Sequence, residues 1–202
     1  MTVYLYWPLL ITAVIHNTYY TRQWRVNYCK QVPYPNDVVK DRQVHFRHLV
    51  ISVVILTLYL EHMNMPNLSW WTIPQVVLVY YMTLLWFYAT HRMMHHPRLY
   101  RFHKQHHKYT EPPPYTTFYC SLTEHLLVNT GSLMVPLWLC PLPYWITLVY
   151  SYLVFNNAVQ AHMGTKFQNS AHLIHHQRSN VNFGAGAGSQ LDLLFGTHHT
   201  QQ

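Results

Sequence analysis

Residues 71–90 read WTIPQVVLVYYMTLLWFYAT and contain no charged side chain. About twenty residues of α-helix extend roughly 30 Å, which matches the hydrocarbon thickness of a bilayer. The sequence HRMMHH follows at once at residues 91–96, so this predicted membrane helix ends in a cluster of imidazoles. Pro97 should end the helix, because proline lacks the N–H that a helix interior needs. We therefore expect a helical membrane protein with a histidine-rich end.

Three further uncharged segments extend this plan. Val3–Tyr20 lacks the basic region and cleavage site of a removable signal peptide, so we predict a retained anchor helix. Leu49–Leu60 is an apolar core of about twelve residues, which spans the membrane only if Phe46 and Met63 extend it and otherwise packs as a buried or re-entrant segment. Leu126–Ala158 is interrupted by three prolines and predicts a bent hairpin of two helices in or near the membrane.

The composition supports a membrane protein and excludes several other classes. Charged residues make up 9% of the 202 residues and hydrophobic residues 50%, which excludes a disordered chain and a solvated coiled coil. The net charge of +7 does not indicate nucleic-acid binding, because no run of Lys or Arg exceeds one residue. Cys29, Cys120 and Cys140 lack a CxxC spacing, so we expect free thiols rather than disulfides or a zinc knuckle.

The basic residues orient the predicted helices. All thirteen Lys and Arg side chains fall in segments that this layout places on one side, and the positive-inside rule makes that side cytosolic. The predicted fold is an all-α integral membrane bundle of about four transmembrane helices with a cytosolic, histidine-rich, two-metal cap. In a eukaryotic cell we expect the endoplasmic reticulum membrane. Residues 1–83 form the N-terminal anchor helices in this division, and residues 84–202 the second domain.

Histidine is the most unusual feature of the composition, with 17 residues against only 6 Asp plus Glu. Eleven of the histidines lie between residues 91 and 176, mostly with helical spacings of three or four. Three motifs contain nine of them: His91-Arg-Met-Met-His95-His96, His103-Lys-Gln-His106-His107 and His172-Leu-Ile-His175-His176. We expect His91 and His95 to share one helical face with His96 pointing elsewhere, and the three imidazoles of the second motif to form one stripe. The remaining candidates are His162, after the hairpin, and His125, at its start.

Imidazoles at these spacings favour a transition-metal site. Eight or more ligands are too many for one ion, so the pattern predicts a dinuclear site. Residues 88–202 contain only Glu111, Glu124 and Asp192 as acids, which excludes a carboxylate-built site and indicates a histidine-built one. Glu124 completes a capping box with Ser121, and we expect its role to be structural. The histidines outside these groups are expected to be core or solvated residues, namely His16, His45, His48, His62, His198 and His199.

The motifs resemble those of the membrane-bound fatty acid hydroxylase and sterol desaturase superfamily. Residues 86–107 are similar to its first two histidine boxes with their connector, and His172–His176 is similar to the third box. Asp192-Leu-Leu-Phe-Gly-Thr197 resembles the closing signature of the family. Leu84 stands where many members have an acid, and Leu191 where tryptophan is usual.

The resemblance implies a cytosolic non-haem di-iron centre that uses dioxygen to hydroxylate or desaturate a lipid, either a fatty acyl chain or a sterol. Residues 84–202 would then form the catalytic domain. The implied metal ligands are His91, His95, His103, His106, His107, His162, His172, His175 and His176, with His96 and His125 less certain. A bis-histidine haem protein, a zinc-binding membrane protein and a catalytically degenerate scaffold are the alternatives.

Electrons should come from a separate protein, because the chain has no flavin or nicotinamide fingerprint. The resemblance suggests cytochrome b5 or a ferredoxin-like carrier. A basic cluster could steer such an acidic carrier or contact anionic lipid headgroups. That cluster consists of Arg98, Arg101, Lys104 and Lys108.

Overall fold

The computed structural model describes residues 38–162, 171–184 and 189–200, and five positions between residues 11 and 19. Within these ranges every regular element is a helix and no strand occurs, which confirms the all-helical prediction. The predicted anchor Val3–Tyr20 lies largely outside the described residues, and so do His16 and Cys29.

Among the described residues, two helices are candidates for membrane spans. Helix α1 spans Val38–His62 and helix α2 spans Thr72–Met94. Lys40–His62 and Thr72–Met94 are both long and apolar enough to cross a bilayer. Helix α1 begins eleven residues before the predicted core at Leu49, so it has the length that the apolar core alone lacks. Helix α2 ends at Met94, in agreement with the break expected at Pro97.

The segment after α2 is not one continuous helix. Helix α3 covers only Tyr100–His103, and a turn at residues 104–105 precedes the 3₁₀ helix His106–Lys108. A second 3₁₀ helix, Pro114–Thr116, follows in the proline-rich loop. The second motif is therefore not one continuous α-helix as its spacing predicted, although Lys104 and Gln105 keep right-handed helical backbone angles.

The predicted hairpin consists of two helices joined at residues 140–143. Helix α4 starts as Leu122–Glu124, continues as the π-helix His125–Thr130 and ends as Gly131–Leu139. Helix α5 spans Tyr144–Ala161. The side chain of Ser121 caps α4, since its Oγ accepts a hydrogen bond of 3.1 Å from the N–H of Glu124.

Helix α4 packs against α2 along its π-segment and along Gly131–Leu139. Trp86 on α2 donates its indole N–H to the carbonyl oxygen of Leu127 at 2.9 Å. Gly131 allows this close approach, because a Cβ at that position would lie 3.0 Å from the Trp86 Nε1 atom. Buried side chains of all four long helices, including Leu60, Val79 and Leu137, form the apolar core beside this contact.

The last elements are short. Helix α6 covers Ala171–Gln177 and helix α7 covers Ser189–Leu194. Tyr88 on α2 stacks on Phe195 with ring centroids 5.1 Å apart, and the hydroxyl groups of Tyr88 and Thr197 lie 3.0 Å apart. These contacts place the end of the chain against the histidine-rich end of α2.

Candidate metal centre

Nine histidines converge in two groups at the ends of α2 and α5. In each group the candidate ligand atoms all lie within 4.8 Å of one another. The five-histidine group contains His91, His95, His103, His107 and His175. The four-histidine group contains His106, His162, His172 and His176. These nine residues are the metal ligands that the family resemblance implied.

Each HxxHH motif contributes to both groups. His103 and His107 are four residues apart and belong to the five-histidine group, whereas His106 between them belongs to the other. On α6, His172 and His176 share the four-histidine group, and His175 points to the five-histidine group. Positions i and i+4 thus stay on one face while the i+3 residue turns to the neighbouring group. The two groups are consequently adjacent, with the rings of His107 and His176 4.7 Å apart.

Backbone carbonyl groups fix the tautomers of four imidazoles. The Nδ1 atoms of His91 and His175 donate to the carbonyl oxygens of Phe183 and Val181, both at 2.7 Å. His162 and His176 donate in the same way to Ala158 and Tyr109, both at 2.9 Å. A carbonyl oxygen only accepts, so Nδ1 carries the proton in these rings and Nε2 keeps its lone pair. This arrangement is typical of metal-binding histidines.

The Nε2 atoms face one another at distances that suit a shared cation. In the five-histidine group, Nε2 of His107 lies 3.0 Å from that of His103 and 3.1 Å from that of His175. In the four-histidine group, Nε2 of His162 lies 3.2 Å from that of His172. Two nitrogens bound to one metal ion at about 2.1 Å are separated by roughly 3.0–3.4 Å for angles between 90° and 109°.

Two further Nε2 atoms support this assignment. Those of His95 and His176 are buried and have no hydrogen-bond partner among the described residues. Leaving such groups unpaired is costly, and one ion bound in each group would satisfy them. The donor set, its spacing and its unpaired nitrogens therefore fit two transition-metal ions.

Burial keeps the imidazoles neutral. It lowers the pKa of His107 to about 4, with His162 as a second cause, and it also lowers the pKa of His162 to about 4. Burial likewise lowers the pKa of His95, to about 2, with the nearby His175 and His107 adding to the effect. Since imidazole binds metal only in its neutral form, the fold presents these ligands in the binding-competent state at neutral pH.

Glu124 has a role that the sequence pattern did not indicate. Its side chain is buried, and Oε1 lies 2.9 Å from Nδ1 of His103. The cap at Ser121 uses only the backbone N–H of Glu124, so the side chain does not close the predicted capping box and lies beside His103 instead. Burial raises the pKa of Glu124. An acid directly before an uncharged membrane-associated segment was the signal that could have identified this residue.

The closing signature acts through hydrogen bonds to the loop after α6. The carboxylate of Asp192 accepts from the backbone N–H groups of Phe183 and Gly184 at 2.8 and 2.9 Å. Thr197 accepts from the N–H of Asn182 through its carbonyl oxygen, which supports the positive φ of 54° at Asn182. The same loop supplies the carbonyl groups that orient His91 and His175. Asp192 therefore positions two imidazoles without contacting them.

Two less certain candidates lie outside the two groups. The side chain of His96 is exposed at the surface. His125 is buried in a third group with His48 and Cys120. The rings of His48 and His125 are stacked, with centroids 4.4 Å apart and planes only 10° from parallel. The ligand atoms of this third group also lie within 4.8 Å of one another, but Nε2 of His125 is already hydrogen-bonded to Ser52 at 3.0 Å.

The four residues of the basic cluster differ in their surroundings. Arg98, Arg101 and Lys104 have exposed side chains. Lys108 instead donates to the buried carboxylate of Asp41 at 2.6 Å. Burial opposes the charge on Lys108, but the hydrogen bond from Lys108 to Asp41 outweighs it and the pKa of Lys108 is raised. Lys108 thus joins the second histidine motif to the start of α1.

A cavity connects both histidine groups to the interior of the helical bundle. Its volume is about 140 Å³. His91 and His103 of one group and His106 and His162 of the other line one end. The remaining wall is largely apolar and includes Leu84, the position where the family often has an acid. The arrangement can hold an elongated apolar molecule with one end at the histidines.

The fold and the site define a helical, membrane-associated protein in which nine imidazoles converge to form the candidate metal site. The chain belongs to the fatty acid hydroxylase family, whose model matches residues 76–197. The resemblance seen in the histidine motifs is thereby confirmed, and the family indicates an oxidoreductase of lipid metabolism.

Several curated proteins are similar to the chain. C-4 methylsterol oxidase erg25 of Schizosaccharomyces pombe is 33% identical over 98 residues, which cover 46% of this chain and 33% of that protein. Methylsterol monooxygenase erg25B of Aspergillus fumigatus is 30% identical over 54% of this chain and 39% of its own. Human fatty acid hydroxylase domain-containing protein 2 is 28% identical over 69% and 47%. The chain thus spans less than half the length of these relatives. No solved structure matches it.

Proposed function

We propose that the protein is a membrane-bound non-haem di-iron oxygenase that hydroxylates or desaturates a lipid, either a fatty acyl chain or a sterol, with dioxygen. The observation that carries the proposal is the pair of histidine groups with their Nε2 lone pairs turned inward at the end of one elongated cavity. The methylsterol oxidase and monooxygenase names of the relatives support a sterol among the candidate substrates.

The residues of the chain divide the task between them. The five-histidine group would hold one iron ion and the four-histidine group the other, with Glu124 and the Phe183 and Val181 carbonyl groups orienting the ligands. When bound, the two ions supply the capacity to activate dioxygen with two electrons. The apolar wall of the cavity would bind the lipid, exclude water and direct one C–H bond to the histidine end.

The proposal includes a membrane arrangement. Helices α1 and α2, an anchor at Val3–Tyr20 and the hairpin α4–α5 would form a bundle of about four spans. Residues 1–83 would serve as the anchor and residues 84–202 as the catalytic domain. The basic residues support a cytosolic site, in the endoplasmic reticulum membrane of a eukaryotic cell.

The same proposal requires an electron donor. Cytochrome b5 or a ferredoxin-like carrier would dock on three exposed cations: Arg98 and Arg101, between the first two histidine motifs, and Lys104, within the second. Electrostatic steering of an acidic carrier to such a patch raises the rate of association. Lys108 would contribute less, because its charge is already paired with Asp41.

Metal analysis tests the function directly. The purified protein should contain two iron ions per chain and no Soret band in its optical spectrum. Replacing His175 by alanine should remove metal and lipid oxidation while the helical circular dichroism is largely kept. His96→Ala is the matched control, because His96 comes from the same kind of motif but is exposed. One metal ion or none per chain, or a haem spectrum, would refute the di-iron proposal.

A further inference from the structure

The cavity runs along one face of α5. Its lining includes Ser151, Val154, Ala158 and His162, which follow a helical spacing. Eleven residues separate Ser151 from His162, so the two ends lie about 16 Å apart along the helix at 1.5 Å per residue. Ser151 therefore marks the end of the cavity that is remote from the histidines.

Six hydroxyl-bearing side chains line this cavity, and five of them have partners within the protein. Ser132 donates to the carbonyl oxygen of Asn129 at 2.8 Å, and Thr117 donates to that of Pro114 at 2.6 Å. The hydroxyl of Thr83 receives a hydrogen bond of 2.7 Å from Tyr150. The other two, Ser52 and Thr130, bond to each other and to Nε2 of His125 at 3.0–3.3 Å.

Ser151 is the exception among the described lining residues. Its side chain is 6% exposed, and its Oγ is buried without a hydrogen-bond partner. A serine inside a helix can usually bond to the carbonyl group four residues earlier, and here it does not. Leaving a buried hydroxyl group without a hydrogen bond destabilises the protein. An unpaired hydroxyl group in the wall of a binding cavity is therefore expected to bond to the bound ligand.

We propose that Ser151 recognises a hydroxyl group of the bound lipid, at the end of the lipid opposite the carbon that is oxidised. The inference rests on the proposed function and narrows its substrate class to lipids that carry an oxygen function remote from the reacting carbon. A hydroxyl group matches Ser151 because each can donate to the other. A sterol whose hydroxyl group lies at the opposite end of the molecule from the oxidised carbon has this chemistry. A long-chain alcohol oxidised far from its terminal hydroxyl group has it too.

Equilibrium binding of matched lipid pairs to the purified full-length chain tests the proposal. One pair is cholesterol and 5-cholestene, which lacks only the hydroxyl, and the second is 1-hexadecanol and hexadecane. The wild-type protein should bind the hydroxylated member of one pair about fivefold more tightly, as expected for one hydrogen bond. The pair that shows the preference identifies the sterol or the acyl source.

Variants assign the preference to its residue. Ser151→Ala should bind both members of the pair equally with unchanged affinity for the hydrocarbon, which also serves as the control for folding. Ser151→Thr keeps a hydroxyl and should keep the preference. Ser132→Ala should keep it too, because the hydroxyl of Ser132 is already used by Asn129. Equal binding by the wild-type protein, a preference that survives in Ser151→Ala, or no binding of any probe would overturn the proposal.

Metal content measured on the same samples separates this inference from the function on which it rests. A protein with two iron ions and turnover but without the hydroxyl preference overturns the role of Ser151 alone. A protein with the preference but without metal overturns the oxygenase proposal and leaves the recognition of the hydroxyl standing.

Discussion

Replacing Glu124 by glutamine isolates the contribution of one buried carboxylate to metal binding. Glutamine has nearly the same shape, so the substitution replaces the acid at the contact with Nδ1 of His103 by an amide without opening a cavity. Partners behind a metal-binding histidine typically contribute 10–100-fold to affinity. Because an amide oxygen can take the place of Oε1 beside Nδ1, we expect about a tenfold loss, or about 1.4 kcal/mol. Glu124→Ala removes the acceptor as well and should approach about a hundredfold.

Competition with a calibrated chelator measures this effect, with metal content determined by elemental analysis. The ion in the five-histidine group should be lost first, because only His103 contacts Glu124, so an intermediate chelator concentration should leave one ion per chain. Ser121→Ala is the control: it removes the cap of α4, costs about 1 kcal/mol of unfolding free energy and leaves metal affinity unchanged. If Glu124→Gln retained both ions as tightly as the wild type, the carboxylate would have no part in the site.

Two other predictions concern the membrane and the donor. A glycosylation acceptor inserted within residues 64–69 should be modified in the endoplasmic reticulum and one beside Glu111 should not; the opposite pattern would invert the proposed orientation. Lys104→Glu should slow donor-driven turnover and weaken its salt dependence with metal content intact, because the exposed charge acts only on association. Lys108→Glu should instead lower the melting temperature, since it leaves the buried Asp41 without its cation; equal effects of the two variants on turnover alone would contradict this distinction.

The histidine motifs were predictable because their spacing is written directly in the sequence. Residues four apart share a helical face, and His172 with His176 follows this rule. The division into two groups was not predictable from spacing. It depends on the approach of α6, from a distant part of the chain, to the second motif, and tertiary packing decides that approach.

Glu124 illustrates a different limit of sequence reasoning. The S-x-x-E pattern predicts a capping box, and Ser121 does cap the helix. The pattern cannot say whether the glutamate side chain returns to the cap or turns inward. Here the side chain turns inward, and Oε1 lies 2.9 Å from Nδ1 of His103. The local motif thus predicted the start of α4 correctly but not the direction in which the Glu124 side chain points.

The closing signature shows how residues that bind no metal can still determine the geometry of the site. Asp192 holds the N–H groups of Phe183 and Gly184, and the carbonyl group of Phe183 in turn fixes His91. An aspartate that is itself fully buried has to be paired, and these two amides with the hydroxyl of Thr197 provide its partners. A shift of the loop would therefore leave the carboxylate of Asp192 without its partners or break the hydrogen bond that fixes the tautomer of His91. The orientation of an imidazole on α2 is in this way coupled to a carboxylate about one hundred residues later in the chain.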